Sequence, residues 1–152
     1  MAVAEAAVLP LFFGFLYFDS AKRRRHGSLV EKRAVEKFIA AAPSDWLIET
    51  DTVLRKLGNI DLLVRFPDGR QCPIEIKSWR SARNLSRRSR ALEQVRRQCD
   101  AVRARTGVVW LPEAARQNVL SSGDLLLVEG DEHFLIRRLL IFHNIQFRDF
   151  RV

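Results

Sequence analysis

Histidine and cysteine are scarce in this chain of 152 residues, with three and two copies. His26, His133 and His143 show no ligand spacing and read as structural or surface side chains. Cys72 and Cys99 stand far apart with no Cys or His companion, which speaks against a zinc ribbon or a disulfide framework and for a reducing compartment. Negative charge is short as well: 18 Asp and Glu against 26 Lys and Arg leave a formal charge of +8. A balance of that sign calls for a polyanionic partner, either nucleic acid or an anionic membrane surface. Charge alone does not separate binding from catalysis, because many basic proteins hold nucleic acid without acting on it. No internal repeat is visible. What is present, 47% hydrophobic and 29% charged residues, describes a globular chain long enough to bury a core.

The chain divides into residues 1–26 and a domain over 27–152. Val8 to Phe18 is aromatic-rich and uncharged, and the basic cluster Lys22-Arg23-Arg24-Arg25 follows it. Counted from Ala2, the apolar run is about 17 residues, interrupted by Glu5, at the lower edge for crossing a bilayer. A secretory signal peptide fits poorly, since its basic residues should come first. Two readings stand side by side: a membrane anchor with the body of the protein on the cytoplasmic side, or a helix packed on the domain or on a second copy in a homodimer.

The chain is organised around Gly58 to Lys77. Alternating apolar residues flank Pro67-Asp68-Gly69, a turn in which Pro presets φ and Gly takes the left-handed conformation. This predicts a β-hairpin. Ile60, Leu62, Val64 and Phe66 share one face, and Asp61 lies on the other; Glu75 and Lys77 point together away from Ile74 and Ile76. A three-residue loop pairs Phe66 with Arg70 and sets Asp61 opposite Glu75, with Cβ atoms about 5 Å apart. Two like charges that close favour a cation between them, and carboxylate oxygens suit Mg²⁺ or Mn²⁺. The bland alternative is a solvated strand face with an ion pair to Lys77.

Gly58-Asn59-Ile60-Asp61-Leu62-Leu63, followed by Pro73-Ile74-Glu75-Ile76-Lys77-Ser78-Trp79, resembles the core of the PD-(D/E)xK nuclease superfamily. It is most similar to the nuclease-related domain (NERD), with its Gly-x-Ile-Asp strand and Glu-x-Lys-x-Trp strand. The resemblance covers roughly residues 27 to 130. It implies a restriction-endonuclease-like core and an endonuclease-type hydrolase. In that reading Asp61, Glu75 and the main-chain carbonyl of Ile76 bind Mg²⁺ or Mn²⁺, and Lys77 activates water.

Two further residues follow from it. Gly27 to Ala42 reads as a helix whose buried face holds Ala34, Val35, Phe38, Ala41 and Ala42. Glu31 lies about 20° from Phe38 on the wheel, an acid on an apolar face, whereas Glu36 lies about 160° away and reads as a surface acid. The superfamily often has a Glu on its first helix that reaches the metal, and Glu31 resembles it; the plain alternative is an acid at a helix N-terminus. Several branches also place a Gln on the helix after the Glu-x-Lys strand, and Gln94 resembles that residue. The Tyr that some branches have four residues later is absent, and Gln98 stands there.

Arg80 to Arg105 holds nine arginines against Glu93 and Asp100, and reads as largely helical from Leu85, Leu92, Val95, Cys99 and Val102. Arg80, Arg83, Arg87, Arg88, Arg90 and Arg97 are candidates for phosphate contact; a solvated helix face is the alternative. Beyond it we expect a strand at Thr106 to Pro112, a helix at Glu113 to Leu120, a strand at Asp124 to Glu129 and a helix from Asp131. The fold class is α/β bordering on α+β, a mixed central sheet flanked by helices. The function expected is metal-dependent cleavage of DNA. Alternatives are a structure-specific endonuclease resembling Holliday-junction resolvases, a non-catalytic membrane-tethered DNA-binding module, and a basic surface for anionic lipid.

Overall fold

The structure is a computed structural model that describes residues 27–54 and 58–149, with side chains through Phe142. The first helix, α1, covers residues 27–41. Three strands follow: β1 (Leu47–Leu54), β2 (Gly58–Arg65) and β3 (Gln71–Ile76). Then come α2 (Leu85–Val102), β4 (Gly107–Leu111), β5 (Asn118–Ser122), β6 (Leu125–Glu129) and α3 (Glu132–Asp149). The strands form one six-stranded sheet in the order β1-β2-β3-β4-β6-β5. The meander β1-β2-β3 and the hairpin β5-β6 are antiparallel, while β3, β4 and β6 run parallel. The molecule is thus mixed α/β, with a mixed sheet flanked by helices.

Pleating divides the core. Val108 and Trp110 of β4 join Ala34 and Phe38 of α1 and Leu135 and Leu139 of α3 on one face. Val109 and Leu111 join Ala91, Val95 and Cys99 of α2 on the other. Strand β4 is buried at every position, as expected for a parallel strand covered on both faces. Helix α1 buries the face anticipated for it: Ala34 and Phe38 fully, with Val35, Ala41 and Ala42 packed at the margin. Helix α2 covers most of the basic stretch, as expected, from Leu85 to Val102, although its first apolar residue, Leu85, is exposed. Asn84 caps it, accepting the Arg87 N–H at 3.1 Å, and Arg103 closes it at φ 57°. Trp46 precedes β1 and packs edge-on against Phe66.

The helix expected over Glu113 to Leu120 is absent; the segment instead turns and enters strand β5. Its adjacent residues Val119 and Leu120 pack toward opposite faces of the sheet, an arrangement only a strand allows. Gly123, at φ 61°, and Asp124 make a two-residue hairpin loop that aligns β5 with β6 from Ser122↔Leu125 to Asn118↔Glu129. An eight-residue helix has little cooperative support of its own, so sheet pairing decides.

Gly107 lets α2 sit directly on β4. A Cβ there would overlap the side chains of Val95 and Cys99. Gly107→Ala is therefore expected to lower stability by about 1–3 kcal/mol, read from urea unfolding midpoints. An unchanged midpoint would mean that α2 can move off the strand.

Among the described residues no helix is long and apolar enough to cross a membrane. The hydrophobic stretch over 1–18, the basic cluster after it, and Arg55 and Lys56 lie outside the described residues.

Candidate active site

The hairpin turn sets everything downstream of it. The Phe66 N–H donates to the Arg70 carbonyl at 2.8 Å, and the Gly69 N–H to the Phe66 carbonyl at 2.9 Å, with Gly69 at φ 88°. This is a three-residue loop. The ladder runs back from Arg65↔Gln71 to Leu62↔Ile74, and the same register continues to Asp61 opposite Glu75. Regular pairing stops there. Instead, Asp61 Oδ2 accepts the Ile76 N–H at 2.8 Å, so a side chain takes the place of a ladder carbonyl. On the other flank, β1 pairs Thr50↔Leu62 and Thr52↔Ile60, and Asp51 between them sits at φ 51°. A left-handed non-glycine residue is a local strain that Asp tolerates better than most. Both neighbours of β2 therefore depart from regular structure beside Asp61.

Asp61 is half-buried and hydrogen-bonded to Glu31 of α1. Its carboxyl is pushed up to about 9, first by loss of water, then by the Glu31 hydrogen bond and the Glu75 charge, with the Ile76 N–H pulling the other way. Glu75, in contrast, is buried and well provided with donors. Its Oε1 accepts from Gln94 Nε2 at 3.2 Å and lies 3.5 Å from Lys77 Nζ. Its Oε2 accepts from Gln98 Nε2 at 3.1 Å. Lys77 Nζ in turn donates to Gln94 Oε1 at 3.4 Å, closing a ring of three side chains.

Two cavities border these groups. One, of about 440 Å³, is lined by Glu31, Glu36, Asp51 and Asp61 among others. The other, of about 210 Å³, is lined by Lys77, Trp79, Arg87, Arg90, Ala91 and Gln94. Asp61 thus faces an acidic recess and Lys77 a basic one.

The residues singled out from sequence are distributed as follows. Glu31 meets Asp61, and Lys77 and Gln94 meet Glu75. Glu36 is exposed, as anticipated, yet borders the acidic recess. Arg87 and Arg90 line the basic cavity, whereas Arg88, about 120° from Gln94 on the helix, does not. Arg97 is drawn to Glu93 at 3.7 Å, and Arg80 and Arg83 are exposed on the segment before α2. Two residues escaped the sequence reading. In sequence Gln98 reads only as the position of a missing Tyr, although an amide one turn after Gln94 reaches the same carboxylate. Asp51 gave no signal, because its backbone conformation is invisible in sequence.

Among the described residues no three His, Cys, Asp or Glu side chains form a ready metal cluster, for Glu75 is turned toward amides and Lys77. The donor set nonetheless suits a hard divalent cation. Glu31 and Glu75 both disfavour charge on Asp61, which retains its proton where no cation offsets it. The cysteines offer no nucleophile: burial pushes Cys99 up to about 12 and Cys72 higher still. No known family model matches the chain, and no curated protein matches it in sequence.

Proposed function

We propose that the chain is a divalent-metal-dependent nuclease that hydrolyses DNA phosphodiester bonds, with a restriction-endonuclease-like core of the PD-(D/E)xK type closest to the nuclease-related domain. The observation that carries this reading is the convergence of Asp61, Glu75 and Lys77 where the β2–β3 ladder breaks, next to the arginines of α2. A structural ion pair needs Lys77 and Glu75 only; it gives no reason for Asp61 and Glu31 to meet, half-buried, on the neighbouring strand and helix.

In this reading Asp61, Glu75 and the Ile76 carbonyl would hold Mg²⁺ or Mn²⁺, with Glu31 as a further acid beside Asp61. The bound cation supplies Lewis acidity and an acidified water. Lys77 orients the attacking water and offsets charge that builds on the phosphate. Gln94 fixes Lys77, and Gln98 fixes the other oxygen of Glu75. Arg87 and Arg90 grip backbone phosphates, which positions the strand without reading sequence.

Calorimetric titration of Mn²⁺ into the full chain tests the proposal, alongside plasmid cleavage with and without Mg²⁺. The wild type is expected to bind the ion and cut, and Asp61→Ala to lose both. Cleavage by Asp61→Ala at the wild-type rate overturns the assignment.

A further inference from the structure

We propose that Trp79 is a stacking platform for one unpaired base, so that the chain takes single-stranded or frayed DNA in preference to closed duplex; the placement beside a cleavage centre rests on the nuclease reading above. Of the three tryptophans, Trp46 and Trp110 are buried in the core, and the Trp110 N–H is satisfied by the Gly130 carbonyl at 2.9 Å. Trp79 is half-exposed, and among the described residues its indole N–H has no hydrogen-bond partner. It lines the basic cavity and packs against the core cluster that holds Ala82 and Ala91. Lys77 Nζ and the Arg87 guanidinium each lie 5.9 Å from the ring centroid.

The cations differ in what holds them. Lys77 is engaged by Glu75 and Gln94, so it stays. Arg87 is exposed and reaches the ring from the N-terminal part of α2. A stacked base is a stronger partner for an indole than an exposed guanidinium is. A base entering the cavity therefore displaces Arg87, which is then placed for the phosphate next to that base, with Arg90 beside it. Ala91 keeps the inner wall small and apolar. A cavity of about 210 Å³ is below the usual range for drug-sized ligands and accommodates a single base rather than a pair. An aromatic face with cations around it is the pattern by which single strands are held regardless of sequence. In closed duplex the faces of the bases are covered, and a base must leave the stack to use the platform.

The test is binding of a short oligothymidylate and of a blunt duplex of equal length to the full chain without divalent cations, read by tryptophan emission and by anisotropy. The wild type should bind the single strand with quenching of Trp emission. Trp79→Ala should weaken single-strand binding about tenfold and leave duplex binding unchanged; Trp79→Phe should retain most of the single-strand affinity. Denaturation midpoints of both variants check the fold. Equal loss on both substrates, no loss on either, or binding without quenching overturns the platform. The nuclease reading fails separately, through metal binding and cleavage by Asp61→Ala.

Discussion

Lys77→Ala is expected to slow cleavage by about 10²- to 10⁴-fold, the usual range for loss of one acid–base group, with DNA binding nearly intact. The separation of effects follows from the geometry. Lys77 is tied to Glu75 at 3.5 Å and to Gln94 at 3.4 Å, so its ammonium is held at the proposed reaction centre instead of ranging over the surface. On the proposed function, phosphate affinity comes from the longer arginines of α2, which remain. Lys77→Arg should not rescue the rate, because a planar fork cannot meet one carboxylate oxygen and one amide oxygen as a compact ammonium does. Single-turnover rates at saturating protein, with anisotropy for binding, make the measurement. A Lys77→Ala rate within a fewfold of wild type would falsify the role, leaving the Glu75–Lys77 contact as an ion pair alone.

Asp61→Asn is expected to stabilise the metal-free protein at pH 8 and to flatten its stability between about pH 4 and pH 9. The native Asp61 holds a proton up to about 9, whereas in the unfolded chain it gives one up near 3.8. Over that window the native state binds more protons than the unfolded state, so stability falls as pH rises. Asparagine keeps both contacts, accepting the Ile76 N–H and donating to Glu31, without the charge. Relief of a half-buried, poorly compensated acid is on the order of 1–3 kcal/mol, or roughly 2–12 °C in Tm for a domain of this size. Mg²⁺ should raise the Tm of the wild type at pH 8 and not that of Asp61→Asn, since only the wild type has a proton to exchange for the ion. Parallel pH profiles for the two proteins would sink this account of Asp61.

The hairpin was legible because its turn carries its own geometry. Pro67-Asp68-Gly69 admits few conformations, and one of them fixes the register that sets Asp61 opposite Glu75. Helix α1 was legible from its apolar stripe. The stretch after Pro112 was not: Glu113-Ala114-Ala115-Arg116 has local helix preference, and only pairing with β6, a partner later in the chain, makes Asn118–Ser122 a strand. Gly123-Asp124 between two short runs was the available hint. The ladder break at Asp61 was equally hidden, because it depends on Asp51 and Ile76 together. Gln98, neutral and fully buried, carries no charge pattern to mark it, and only its distance to Glu75 shows its place.

Helix α2 presents two sets of side chains at fixed phase: Arg87 and Arg90 at the basic cavity, Gln94 and Gln98 on Glu75. The spacing between them tolerates no change in length, since one inserted residue turns the arginines about 100° away from the glutamines. Residues 80–83 precede the Asn84 cap and lie outside that helical phase, with Ala82 alone among them packed in the core. On the proposed function, a competent copy of this chain varies from Arg87 to Gln98 by substitution and not by insertion.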